Sequence, residues 1–362
     1  MSPFAAVVEQ VASRWLKELF GLPDRWSIGF PTGAQMANFT ALLVARRYLL
    51  QREGWNVDSA GLFGAPEIEV IVGDEAHRTI FSSLRMLGLG DGRVRRVETD
   101  DQGRLRADRL AQALQLGSAP RIVCAQLGNV NTGASDPLNE IVALTRASRA
   151  WLHVDGAFGL WAAASQSLKH LTSGIAEVDS IATDAHKWLN VPYDCGIVLT
   201  AHPEAHSQAL TVAAHYIQMS EGERNPRAFT PDESRRARSV PVYATLRALG
   251  RGGVADMVER CCLNARRMAA ALERHPQVRI LNQVVLNQVL VQFLPRQDDP
   301  RDASAFTDYV VNCVQKEGTC WLGATEWHGR RAARISISHW ATNIDDIDRS
   351  AGAILGVLDA AR

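Results

Sequence analysis

Between residues 68 and 200, short apolar runs alternate with helix-like stretches, and this alternation limits the chain to few folds. IEVIVG (68–73), VRRVE, RIVCAQLG (121–128), WLHVD (151–155), VDSIAT (178–183) and CGIVLT (195–200) read as strands, being short and rich in β-branched residues. HRTIFSSLRMLG, LRADRLAQALQLG and a segment from Leu138 read as helices, and LWAAASQSLKHLTSG as a largely helical crossover. Strands and helices in strict alternation imply an α/β fold, a mostly parallel sheet covered by helices.

The flanking regions extend this plan. Residues 3–20 have apolar positions at helical spacing, with Ser2 as cap and Pro3 in the first turn. IGFPTGAQMANFTALLVARRYLL reads as a short strand, a glycine turn and a helix from about Met36. Residues 217–237 are polar, charged and broken by Gly222, Pro226 and Pro231, which reads as a mobile loop; loops of this length are usually functional or disordered. After it, VYATLRALG opens a long helical stretch. QVRILNQ, NQVLVQFLP and RISISHW then read as strands, with helices near 304–316 and 344–361. The expected division is a large domain over 1–245 and a smaller α+β domain over 246–362. The remaining Met and Trp residues are assigned to the core.

The chain has 362 residues, with 39 Lys plus Arg balancing 39 Asp plus Glu, so net charge gives no reason to expect a nucleic acid or a membrane as partner. Six cysteines form no CxxC pair, so no metal site is expected, and a reducing cytoplasm is the expected location. No secretory leader or membrane-length apolar run is seen.

In an open parallel sheet, ligands bind outside the carboxyl ends of the strands. Four features fall there. Gly33, Ala34 and Gln35 open a helix, whose free N–H groups and dipole suit a phosphate. His77 follows IEVIVG and could stack on a planar ring. Asp155 ends WLHVD and could hold a protonated ring nitrogen. His186 and Lys187 follow VDSIAT, and a lysine among His186, Trp188 and Leu189 is suited to a Schiff base. Singly, each has an ordinary reading: a turn glycine, a turn cap, a structural histidine, a surface lysine. Together they supply what pyridoxal 5'-phosphate (PLP) requires: an anchored phosphate, a stacked ring, a protonated ring nitrogen and a covalent lysine.

At this point the sequence resembles the group II PLP-dependent amino acid decarboxylases, the aromatic amino acid and glutamate decarboxylase family. TGAQMANFTALLVAR, GDEAHRTI, GNVNTGASDPLNEI, HVDGAF, TDAHKWLNVPYDCG and SRRARSVPVYATLRALG carry the resemblance, which covers nearly the whole chain. It implies a type I PLP-dependent transferase fold with a seven-stranded sheet, and a homodimer with active sites at the interface. It implies Lys187 as the covalent lysine, Asp155 on the pyridine nitrogen, Ala157 beneath the ring and His77 on its other face. Ala34 and Gln35 would meet the phosphate, with His186 nearby; Asn129 and Asp184 would make further cofactor contacts. Arg334 falls where related folds often bind a substrate carboxylate.

Two departures accompany the resemblance. The N-terminal helical segment usual in the family is missing from the sequence. Pro226 stands where aromatic amino acid decarboxylases place a loop tyrosine; Tyr216 lies earlier and Phe229 later. The expected activity is decarboxylation of an L-amino acid. Transamination, aldehyde-forming oxidative decarboxylation, and PLP binding without catalysis stand as alternatives.

Overall fold

The computed structural model describes residues 2–211 and 225–361. The chain divides into two compact units, residues 1–127 with 135–255, and residues 128–134 with 256–362.

The first unit opens with α1 (Pro3–Phe20), where the Ser2 hydroxyl accepts from the Ala5 N–H and Gly21 ends the helix in the left-handed region. There follow β1 (Ser27–Gly29), α2 (Ala34–Arg52), a single turn α3 (Val57–Ala60), β2 (Glu69–Gly73), α4 (Arg78–Met86), β3 (Arg95–Val97) and α5 (Ala107–Leu114). Then come β4 (Arg121–Gln126), α6 (Leu138–Ala147), β5 (Trp151–Asp155), β6 (Ser180–Asp184), β7 (Gly196–Thr200) and α7 (Pro203–Leu210). The seven strands form one sheet in the order β1-β7-β6-β5-β4-β2-β3. Neighbours from β3 to β6 pair in parallel, whereas β7 runs against both β6 and β1. The carboxyl ends of β2, β4, β5 and β6 therefore lie along one edge.

Helix α2 is set on this sheet by its small residues. Ala37 and Ala41 pack on Ala182 of β6 and Val198 of β7, and methyl-sized contacts let the helix backbone approach the strands closely. Farther along, Leu42, Ala45 and Leu49 join Val70, Val72, Ile80, Leu84 and Trp151 in a larger apolar cluster.

Two expectations are corrected. The crossover between β5 and β6 is not an α-helix but three short 3₁₀ turns, Gly159–Ala164, Lys169–Thr172 and Ile175–Glu177. Ser165 is extended, its hydroxyl accepts the Leu168 N–H, and Gly174 is left-handed, which together break the run into turns. Of the expected loop 217–237, residues 217–224 lie outside the described residues, and the rest makes several contacts. Pro226 begins a 3₁₀ turn capped by Asn225, and Arg235 forms a buried ion pair with Glu9 of α1 at 2.8 Å. The Phe229 carbonyl rests on Gly29, where any Cβ would overlap it. The second correction is that Trp321, Trp340 and Met86 are exposed rather than in the core.

Helix α8 (Ser239–Leu272) is interrupted at Gly250, whose φ is 62°. The second unit contains β8 (Val278–Ile280), β9 (Gln288–Phe293), α9 (Ala303–Glu317), β10 (Gly323–Trp327), β11 (Arg330–Ser336) and α10 (Ile344–Ala360). Its four strands form an antiparallel sheet in the order β10-β11-β9-β8. Strand β10 was not expected. It pairs with β11 across His328-Gly329, both at positive φ, a backbone that fits the twist of a two-residue hairpin.

Candidate active site

Strand β6 ends in Asp184, which is 2% exposed and organises the segment around Lys187. Its Oδ2 lies 2.9 Å from Lys187 Nζ. Its Oδ1 accepts the Ala34 N–H at 2.6 Å, which places a carboxylate at the start of α2, where the helix dipole favours negative charge. His186 Nε2 lies 3.5 Å from the same oxygen, and its Nδ1 accepts the Cys195 N–H at 3.1 Å, so a neutral His186 carries its proton on Nε2. Burial holds His186 below the usual imidazole range, partly opposed by Asp184. Trp188 and Leu189 are buried, while the Lys187 side chain keeps 29% exposure, with Nζ 5.3 Å from the Phe158 ring centroid.

The turn before α2 fits against this segment because glycine stands on both sides. A Cβ on Gly33 would lie 3.1 Å from His186 Cε1, and a Cβ on Gly196 would lie 2.4 Å from the Gly33 carbonyl carbon. Gln35 donates from its side chain to Ser82 Oγ at 3.3 Å.

Asp155, at the end of β5, is 4% exposed. Its Oδ1 accepts the Ala157 N–H at 3.2 Å and its Oδ2 accepts from Asn38 Nδ2 at 3.1 Å. No ion-pair partner lies within 4 Å of it among the described residues. Burial pushes the carboxyl up, and the charges of His77 and Lys187, with the two hydrogen bonds, oppose that rise. His77 caps α4. Its Nδ1 faces Thr79 Oγ1 at 2.8 Å, and with Asp155 it lines a narrow cleft shared by Gly73, Thr99 and Cys124.

Gly33, Ala34, His77, Asp155, Ala157, Asp184, His186 and Lys187 thus gather at one edge of the first unit. Asn129 and Arg334 lie in the second unit. Asn129 is buried and its Oδ1 caps a turn by accepting the Asn131 and Thr132 N–H groups; Arg334 Nη1 donates to the Val130 carbonyl at 3.4 Å, and burial lowers its pKa. Sequence reasoning missed Asn38, Thr79, His153 and Ser180, which stand directly behind Asp155 and His77. A signal existed: Trp151, His153 and Asp155 alternate along β5, so a strand buried on both faces carries three polar-tipped side chains on one of them.

The donor set suits PLP. A buried carboxylate with no ion-pair partner within 4 Å among the described residues suits a cation, a lysine stands on the same edge, and α2 opens there with its first amide held by Asp184.

A family model described as the pyridoxal-dependent decarboxylase conserved domain matches residues 1–294. The chain belongs to that family. Its cofactor is pyridoxal 5'-phosphate, and its activity is that of a PLP-dependent carboxy-lyase, the decarboxylation of an amino acid. Among relatives, the aromatic-L-amino-acid decarboxylase of Bacillus atrophaeus is 28% identical over 340 residues, covering 91% of this chain and 68% of that protein. The L-2,4-diaminobutyrate decarboxylase of Rhizobium meliloti is 28% identical over 361 residues, covering 98% of this chain and 70% of that one. The chain spans 57% of the aspartate 1-decarboxylase of Aliivibrio fischeri. In fold it matches Oryza sativa TDC solved with PLP and tryptamine, with a TM-score of 0.91 at 21% identity, covering 99% of this chain and 77% of that one. Mouse CSAD gives 0.90 at 23% identity, covering 98% and 76%.

Proposed function

We propose that the chain decarboxylates an L-amino acid with Lys187 as the residue bonded to the cofactor aldehyde carbon, Asp155 as the partner of its ring nitrogen and His77 as the ring stacker. The observation that carries this reading is the Asp155 carboxylate, buried at a strand end with two neutral donors and, among the described residues, no ion-pair partner within 4 Å. An uncompensated buried charge is costly, and a ring N–H⁺ relieves it. When bound, PLP supplies an electron sink for the pair left on the substrate α-carbon as CO2 departs.

The remaining work falls to the chain. Asp155 keeps the proton on the ring nitrogen. Asp184 holds the Lys187 ammonium and the first amide of α2 together, so lysine and phosphate seat keep a fixed spacing. Gly33, Ala34, Gln35 and His186 would hold the phosphate, and Ala157 would pack against the ring. Lys187 or His77 would return a proton to the substrate α-carbon. We further propose a homodimer in the cytoplasm. Phe4 and Val7 are exposed on one side of α1, zero net charge does not oppose self-association, and the six cysteines are free. No helix among the described residues is long and apolar enough to cross a membrane.

Incubating the holoenzyme with a panel of L-amino acids, and measuring CO2, amine, aldehyde and ammonia, tests the activity. CO2 and amine in equal amounts are expected from at least one substrate. Failure of every amino acid to release CO2 while PLP is bound contradicts it.

A further inference from the structure

Behind Asp155 a chain of buried polar groups crosses from β6 through β5 to α2. Trp151 Nε1 lies 2.9 Å from Ser180 Oγ. Ser180 Oγ lies 3.0 Å from His153 Nδ1, His153 Nε2 lies 2.9 Å from Asn38 Oδ1, and Asn38 Nδ2 lies 3.1 Å from Asp155 Oδ2. Trp151, Ser180, His153 and Asn38 are at most 2% exposed. The register of the sheet makes the chain possible, because His153 sits opposite Ser180 and Asp155 opposite Ala182.

The direction of these bonds is fixed by chemistry at both ends. The indole N–H can only donate, so Ser180 Oγ accepts it and turns its own proton to His153 Nδ1. A carboxylate can only accept, so Asn38 presents its amide nitrogen to Asp155 and its carbonyl oxygen to His153. His153 therefore carries one proton, on Nε2, and burial keeps it neutral with a pKa of about 3. From Trp151 to Asn38, each link has a donor that points along the chain toward Asp155. The second hydrogen of the Asn38 amide reaches Thr79 Oγ1 at 3.4 Å, and the Thr79 hydroxyl lies 2.8 Å from His77 Nδ1. Asn38 thus orients the ring-nitrogen partner and the ring stacker from one amide.

We infer that Asn38, His153 and Ser180 are positioning residues: a one-way hydrogen-bond relay that keeps Asp155 ionised and aimed at the cofactor ring nitrogen, with Asn38 also setting the His77 ring through Thr79. This deepens the reading given above, since it rests on Asp155 facing that nitrogen. The relay counters the desolvation that raises the Asp155 carboxyl, and the other groups acting on Asp155 are His77, Lys187 and the Ala157 N–H. Polarised hydrogen bonds in series reinforce one another where water is excluded.

Two measurements test it. In the wild-type protein, ¹⁵N NMR of His153 should show a proton on Nε2, a bare Nδ1 and no titration between about pH 5 and pH 9. A proton on Nδ1, or titration in that window, overturns the relay without any variant. In holoenzyme loaded with ring-¹⁵N PLP, His153→Leu should lower the pH at which the ring nitrogen loses its proton by about one unit and weaken PLP binding roughly tenfold. His153→Gln, which keeps a donor facing Asn38, should restore most of both, and Ser180→Ala should give a smaller shift in the same direction. Asp155→Asn is run beside them. If it leaves the ring nitrogen titrating as in wild type, the assignment of Asp155 fails; if it shifts that titration and His153→Leu does not, the relay alone fails.

Discussion

Replacing Gly196 by alanine should injure the cofactor site and the fold together. Gly196 begins β7, its N–H donates to the Pro31 carbonyl at 2.8 Å, and the turn that opens α2 lies flat against it. A Cβ there would stand 2.4 Å from the Gly33 carbonyl carbon and 2.6 Å from its Cα and O. That is about 1 Å inside ordinary van der Waals contact, and the atoms met are backbone, which cannot rotate away. The turn must move, and Ala34, whose N–H donates to Asp184, must move with it. Overpacking of this kind costs about 3 kcal/mol, the upper part of its usual range, and lowers the melting midpoint by roughly 4 °C. The displaced helix start should also weaken PLP binding roughly tenfold, the worth of one hydrogen bond to a charged group. Thermal unfolding of the PLP-free protein and an absorbance titration with PLP read the two effects separately. Gly252→Ala is the control. It lies inside α8 with nothing within 4 Å of its added Cβ, and should gain roughly 0.5–1 kcal/mol. Wild-type melting and wild-type PLP affinity in Gly196→Ala would refute the packing argument.

Two further perturbations follow from buried groups. His153 is neutral in the fold, with a pKa of about 3, and protonates near pH 6.5 when unfolded. The unfolded chain then binds more protons as pH falls, and the fold loses about 2 kcal/mol from this residue by about pH 5. Urea unfolding across that range should show the slope in wild type and its loss in His153→Gln; equal slopes would contradict it. Glu9→Ala strands Arg235, whose side chain is 8% exposed, and should cost about 3–5 kcal/mol, while adding Arg235→Met should recover part of that loss. Additive losses in the double variant would show that the pair is not coupled.

The sheet and the cofactor edge were legible because their signals are local. A strand read from its own residues ends at Asp155, or at Thr183 beside Asp184, whatever packs on it, and TGAQ opens a helix by its own turn chemistry. The groups behind Asp155 were not legible, because Ser180 meets His153 only through the β5–β6 register and Asn38 reaches both only through the small residues that seat α2. The crossover was misread because LWAAASQSLKHL has helical composition, whereas Ser165 and Gly174 cut it into lengths too short for α-helix. β10 escaped because His328, at φ 47°, fills a turn position that asparagine or aspartate usually marks. The segment near Pro226 read as loop by composition, and nothing in its sequence names Glu9 as the anchor of Arg235.

Lys187 is expected to bond the cofactor, and borohydride reduction of the holoenzyme followed by peptide mapping checks this. A single reduced pyridoxyl group is expected, on the peptide containing Lys187. A pyridoxyl group on another residue, or none on a protein that binds PLP, would contradict it.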